Sequence, residues 1–144
     1  MSPSVSPSVE PTAYTRGDEA ALPGDDADLE TVYSAQDDLD VETKNDVRVS
    51  QDATGEYTIH QYKDDVGVSN STDLEWEGQT NNPPSLSTVY LQIYNRDTPA
   101  WETVDSDNTT GIDTDFTLSG NIADLTDYKD GSNIISCRIY QEAT

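Results

Sequence analysis

The sequence is poor in the residues that most often carry chemistry. It has one Cys, one His, one Phe and one Met in 144 residues. A lone Cys137 excludes an intrachain disulfide. Its neighbours Ile135 and Ile139 read it as a buried thiol that packs like a small apolar side chain. A lone His60 leaves no His-based catalytic pair and no His-rich metal site. Basic residues are also few: 7 Lys and Arg stand against 29 Asp and Glu, a net charge of −22. Such a surface repels phosphate backbones and anionic lipid, so neither nucleic acid nor a membrane is expected as a partner. No apolar run approaches the ~18 residues of a membrane-spanning helix. Met1-Ser-Pro-Ser-Val opens with neither a basic nor an apolar segment, so no secretory leader is expected; the chain stays in the cytosol or leaves by cell lysis, with a trimmed secreted form as the alternative. Only 33% of residues are hydrophobic, which predicts a small core.

What is present points to β-structure. The aromatic content sits in eight Tyr and two Trp, among many Thr and Asp, a composition suited to half-exposed sheet surface. The clearest stretch is Leu86–Asp105. Val89, Leu91 and Ile93 alternate with Tyr90, Gln92 and Tyr94, a period of two that gives one aliphatic face and one aromatic or polar face. Asn95-Arg96-Asp97-Thr98-Pro99 breaks the run, and Trp101 and Val104 open a return strand, which predicts a hairpin at the centre of the sheet.

Other strands follow the same rhythm. Leu29–Ser34 predicts a first strand, and Leu39 and Val41 a short second one. Asp46–Gln51 and Glu56–Lys63, joined by Asp52-Ala53-Thr54-Gly55, read as another hairpin. Leu74–Glu77, Phe116–Gly120 and a last strand with Ile135, Cys137 and Ile139 inward complete the set. Ala123–Lys129 reads as one helical turn with Leu125 and Tyr128 facing in. Short strands with turn signals about every ten residues predict an all-β fold, an antiparallel β-sandwich or jelly roll, over residues 29–144. Residues 1–28 read as an extended N-terminal arm. Ser2-Pro3-Ser4-Val5 repeats as Ser6-Pro7-Ser8-Val9, which favours extended, polyproline-like backbone. Val5, Val9, Tyr14 and Leu22 are its candidate partner-binding residues.

Three groups of residues are candidate sites. Tyr90, Tyr94 and Trp101, with Trp76 and Tyr140 nearby in type, could present rings to a sugar or to another subunit. The commoner role for both Trp residues is core. Asp105, Asp107, Asp113 and Asp115 flank a polar loop and could offer oxygens to Ca²⁺, although Gly111 falls one place late for an EF-hand and the closing Glu is missing. Asp25, Asp26, Asp28 and Glu30 form a second acidic group, and in so acidic a chain a solvated loop is the plainer explanation of both. Nothing singles out a catalytic carboxylate pair, and there is no nucleophile elbow, phosphate loop or zinc spacing, so enzyme activity is not expected. No cofactor other than Ca²⁺ is suggested.

Ser87-Thr-Val-Tyr-Leu-Gln-Ile-Tyr-Asn95, Trp101-Glu-Thr-Val-Asp105, Tyr128-Lys-Asp-Gly131 and Cys137-Arg-Ile-Tyr140 together resemble a β-sandwich module of extracellular and virion-surface proteins, including tailed-bacteriophage structural proteins. The likeness covers about residues 46–144, and the Ser-Pro-Ser-Val tail resembles repeats that precede such modules. It implies a homo-oligomeric virion structural protein, a capsid decoration (cement) or tail-associated component, with capsid or tail proteins as partners. In that expectation the arm joins the protein to the particle. A carbohydrate-binding module that takes glycans, or an extracellular filament subunit, are the alternatives.

Overall fold

The computed structural model describes residues 2–6, 11–42, 48–53 and 56–142. Its strands are β1 (Ser2–Ser6), β2 (Pro11–Glu19), β3 (Thr31–Val32), β4 (Tyr57–Asp65), β5 (Thr72–Gly78), β6 (Val89–Asn95), β7 (Ala100–Asp107), β8 (Phe116–Ile122) and β9 (Ile134–Glu142), with one helix, α1 (Ala35–Glu42). They form two antiparallel sheets, of order β1-β5-β8 and β3-β2-β4-β9-β6-β7. The all-β sandwich expected from the sequence is what forms. Three strands against six departs from the two matched sheets of a jelly roll.

The core lies between the sheets, and the two-residue period decides who enters it. Leu74 and Trp76 of β5 and Phe116 and Leu118 of β8 face Tyr62 of β4, Ile135, Cys137 and Ile139 of β9, and Val89, Leu91 and Ile93 of β6. Trp76 is fully buried, edge-on to Phe116 with ring centroids 5.1 Å apart. Leu125 closes one end from a single turn in which the Tyr128 and Lys129 amides donate to its carbonyl.

The Val89–Asn95 and Ala100–Asp107 strands pair as the sequence suggests, with an irregularity between Leu91 and Gln92. The turn between them holds because Asn95 Oδ1 accepts the amides of Asp97 and Thr98. The hairpin is not at the centre of the large sheet, however: β7 is its margin, and β4 and β9 are its two central strands.

Three expectations are corrected. The 46–51/56–63 hairpin does not form. Arg48–Ala53 is irregular, residues 46–47 and 54–55 lie outside the described residues, and β4 pairs with β2 and β9 instead. Leu39 and Val41 sit in α1 rather than a strand. Ser34 caps that helix by accepting the Asp37 amide, while Asp37 accepts the Ser34 amide in return, a reciprocal cap visible as Ser-x-x-Asp. Most consequential, the described part of the expected arm, residues 2–6 and 11–28, does not hang free. Ser2–Ser6 pairs with β5, and Pro11–Glu19 pairs with β4 across eight positions. Tyr14 is buried in the core layer, stacked 5.0 Å from Tyr33. Leu22 is half-buried within the same molecule, and Val9 lies outside the described residues.

The seam opposite α1 is stitched by side chains. Asp105 Oδ2 accepts the Ser119 amide at 2.9 Å, joining β7 to β8 across the sheets. Gly120 makes this approach feasible, since a Cβ there would lie 2.2 Å from Val104 Cγ1. Gly120→Ala should therefore cost about 1–3 kcal/mol by overpacking, whereas Gly131→Ala, with open space around it, should not clash. Thermal melts of both variants check this. A chain beginning at Leu29 loses β1, β2 and Tyr14, and should show no cooperative melt.

Candidate functional site

Outside the core, the densest set of chemically able side chains lies on the outer face of the large sheet. β4, β9 and β6 point Gln61, Arg138 and Gln92 to this face in neighbouring register, with Tyr140 and Tyr90 alongside and Trp101 reaching in from β7. The rings and the guanidinium form a ladder. Tyr90 stacks on Tyr140 at 4.9 Å, Tyr57 meets Tyr140 edge-on at 6.0 Å, and Arg138 lies 5.3 Å from Tyr140 and 4.3 Å from Trp101. Cation–π attraction of this kind is worth about 0.5–2 kcal/mol, more when desolvated. Trp101 is also 5.2 Å from Tyr94.

A strap, residues 21–30, lies across half of this face and satisfies its buried donors with backbone carbonyls. Arg138 Nη1 donates to Pro23 O at 2.7 Å, Trp101 Nε1 to Asp25 O at 3.1 Å, and Gln61 Nε2 to Asp26 O and Ala27 O. Arg138 Nε donates to Gln92 Oε1. Burial lowers the Arg138 guanidinium to about 10, yet it stays charged at neutral pH. Asp26 anchors the strap by accepting from Ser136 Oγ at 2.7 Å and pairing with Arg96 at 2.9 Å. Burial pushes the Asp26 carboxyl up, but Ser136 and Arg96 outweigh it and hold it below the ordinary value. Arg96 reaches on to the carbonyls of Tyr128 and Ile134, tying hairpin, strap and last strand together.

A second cluster is inside. His60 is fully buried, its Nδ1 bonded to the Tyr33 hydroxyl, and its Nε2 meets no hydrogen-bond partner among the described residues. Burial, with the Arg16 charge in the same direction, holds His60 well below its usual value, so it is neutral. Burial likewise raises the Cys137 thiol well above its ordinary value, which keeps it unreactive. No family model, curated protein or solved structure matches the chain. What these residues do must be read from their geometry.

That geometry redistributes the sequence candidates. Tyr90 and Tyr140 cover each other, Tyr94 is buried, and Trp101 is half-buried under the strap, so their faces are largely turned to one another. Trp76 is core. The four acidic loop residues take separate work. Asp105 bonds Ser119, Asp107 accepts the Thr109 and Thr110 amides, Asp115 pairs with Arg48 at 2.6 Å, and Asp113 stands at positive φ beside a different opening. Among the described residues no three His, Cys, Asp or Glu side chains converge as metal ligands. The strap was missed because Pro23-Gly24-Asp25-Asp26 reads as loop. The available signal was Arg138 and Gln61 in strands whose neighbours bury them. A polar cleft of about 610 Å³ opens at one end of the sandwich, lined by Arg48, Gln51, Gln79, Asn81, Asp113 and Gln141. It brings together residues the sequence reading left in separate loops.

Two measurements test the site. Arg138→Lys keeps the charge but loses the planar fork, and should cost about 2 kcal/mol in denaturant unfolding. His60 is depressed in the fold, so its contribution is complete above the unfolded value of about 6.5 and is lost as pH falls below it. The melting temperature should thus fall more steeply between about pH 7.5 and 5.5 in the natural chain than in His60→Gln.

Proposed function

We propose that this is a non-enzymatic structural protein of a virion surface, a capsid decoration or tail-associated component. The observation that carries the reading is that the side chains best able to do chemistry are engaged in holding the fold. Arg138, Trp101, Asp26, Arg96 and Gln61 fasten the strap, Asp105 stitches the seam, and His60 is sealed in the core. What remains outside is a strongly acidic surface on a self-braced sandwich, suited to packing on a basic face of a larger assembly. The N-terminal segment, being built into both sheets, is not the joining element in the form the sequence suggested. Carbohydrate binding has less behind it, because Tyr90 stacks on Tyr140 and Tyr94 packs at a tilt against Trp101.

Immunogold labelling of particles pelleted from a lysed source culture tests the proposal. Label on particle surfaces, removed by a high-salt wash because attachment is electrostatic, is the expected result. Label confined to the soluble fraction would overturn it.

A further inference from the structure

We infer that the polar cleft at one end of the sandwich is a binding site for a short, neutral saccharide. The inference stands on the cleft alone. The tyrosine ladder on the outer face, whose rings are turned to one another, plays no part in it, and neither does the particle reading. The cleft lies where the 48–53 segment, the β5–β6 connection and the loop after β7 meet, with Thr58 of β4 and Gln141 of β9 in its wall. Its volume of about 610 Å³ falls inside the range of ordinary small-ligand pockets. The walls are tied to one another before any guest arrives. Asp115 Oδ1 accepts from both Arg48 and Gln79, joining the 48–53 segment to the start of the β5–β6 connection. The Asp113 amide donates to Thr80 O at 2.9 Å and the Ser85 amide to Thr110 O at 3.2 Å, joining that connection to the loop after β7. Gln141 Nε2 donates to Asn82 O and Ser87 O, which fastens the connection to β9. A site formed in advance loses little affinity to ordering its own walls.

The chemistry of the lining selects the guest. Of the 12 lining residues eight carry a neutral amide or hydroxyl, three are charged, and only Ala53 is apolar. A lipid or other apolar molecule has little to rest against. A phosphate or other anion meets the Asp52 and Asp113 carboxylates, while the cation in the lining, Arg48, is already paired with Asp115 at 2.6 Å. A basic group meets those carboxylates more favourably, but it repels Arg48 and cannot accept from the amides and hydroxyls around it. A peptide strand binds through its backbone ladder, and the carbonyls of Thr80 and Asn82 are engaged within the molecule. The guest that fits is neutral and carries groups that donate and accept at once, as the hydroxyls of a sugar do. Asn81 and Asp113 are exposed members of the lining, and Asp113 is held at φ 50. Leu86 and Ile112, both exposed, are carried by the same two loops and supply aliphatic surface for the C–H edges of a sugar ring.

The test probes an array of immobilised neutral and acidic glycans with the labelled full chain, as the natural sequence and as Asn81→Ala and Asp113→Asn. Both substitutions are at exposed positions, and Asn tolerates the positive φ at 113, so the fold is kept; matching thermal melts check this. Capture on neutral glycans, weakened about tenfold in each variant by the loss of one hydrogen bond, is the expected result. No capture on any neutral glycan, capture confined to acidic glycans, or equal capture by the natural chain and both variants overturns the inference. A second readout locates the site. Adding the glycan captured best should move the backbone amide NMR signals of residues 79–82 and 111–115, whereas changes centred on Tyr90, Tyr94 and Tyr140 would place the sugar on the outer face and overturn it equally.

Discussion

Strand β4 is enclosed on both faces and along both edges, and the rest of the molecule is arranged to make that affordable. Ile59, His60, Gln61 and Tyr62 are each at most 2% exposed, although two of the four are polar. A buried amide or imidazole left without partners costs about 1–3 kcal/mol. β4 escapes most of that cost because the chain before it wraps around it. β2 pairs along its free edge, the Asp26 and Ala27 carbonyls cap Gln61 on one face, and the Tyr33 hydroxyl meets His60 on the other. Residues 11–33 are thus the wall of the core.

The same logic explains the ladder. Arg138 lies directly across from Gln61 on β9 and is only 4% exposed. A buried guanidinium survives only with acceptors and polarizable surfaces around it. Pro23 O and Gln92 Oε1 supply the first, Trp101 and Tyr140 the second. Residues that look like a binding surface are joined into a brace, and the strap completes it. The dense negative charge is left to the exterior.

How much of this could be read in the sequence depends on where the controlling contacts lie. The β6–β7 hairpin was legible because Val89, Leu91 and Ile93 alternate cleanly and Asn95 begins a turn with its own side chain. Cys137 as a packed thiol was legible from Ile135 and Ile139. The fate of the first 28 residues was not. The Ser-Pro repeat and the acidic loop carry no hydrophobic period; Ser2–Ser6 is placed by pairing with β5, and the loop by hydrogen bonds to Gln61, Arg138 and Ser136 more than 30 positions away. α1 was hidden behind Leu39 and Val41, while its local signal was the Ser34–Asp37 cap. The acidic loop residues looked like one cluster in sequence, and the fold sends them to separate partners.

At the root of this account is the claim that the leading third of the chain closes the sandwich and does not hang from it. Native-state hydrogen exchange, read peptide by peptide, tests that claim directly. Amides of residues 11–19 should exchange as slowly as those of residues 57–65, because the two strands open only together. Rapid exchange in 11–19 beside a protected 57–65 would contradict it.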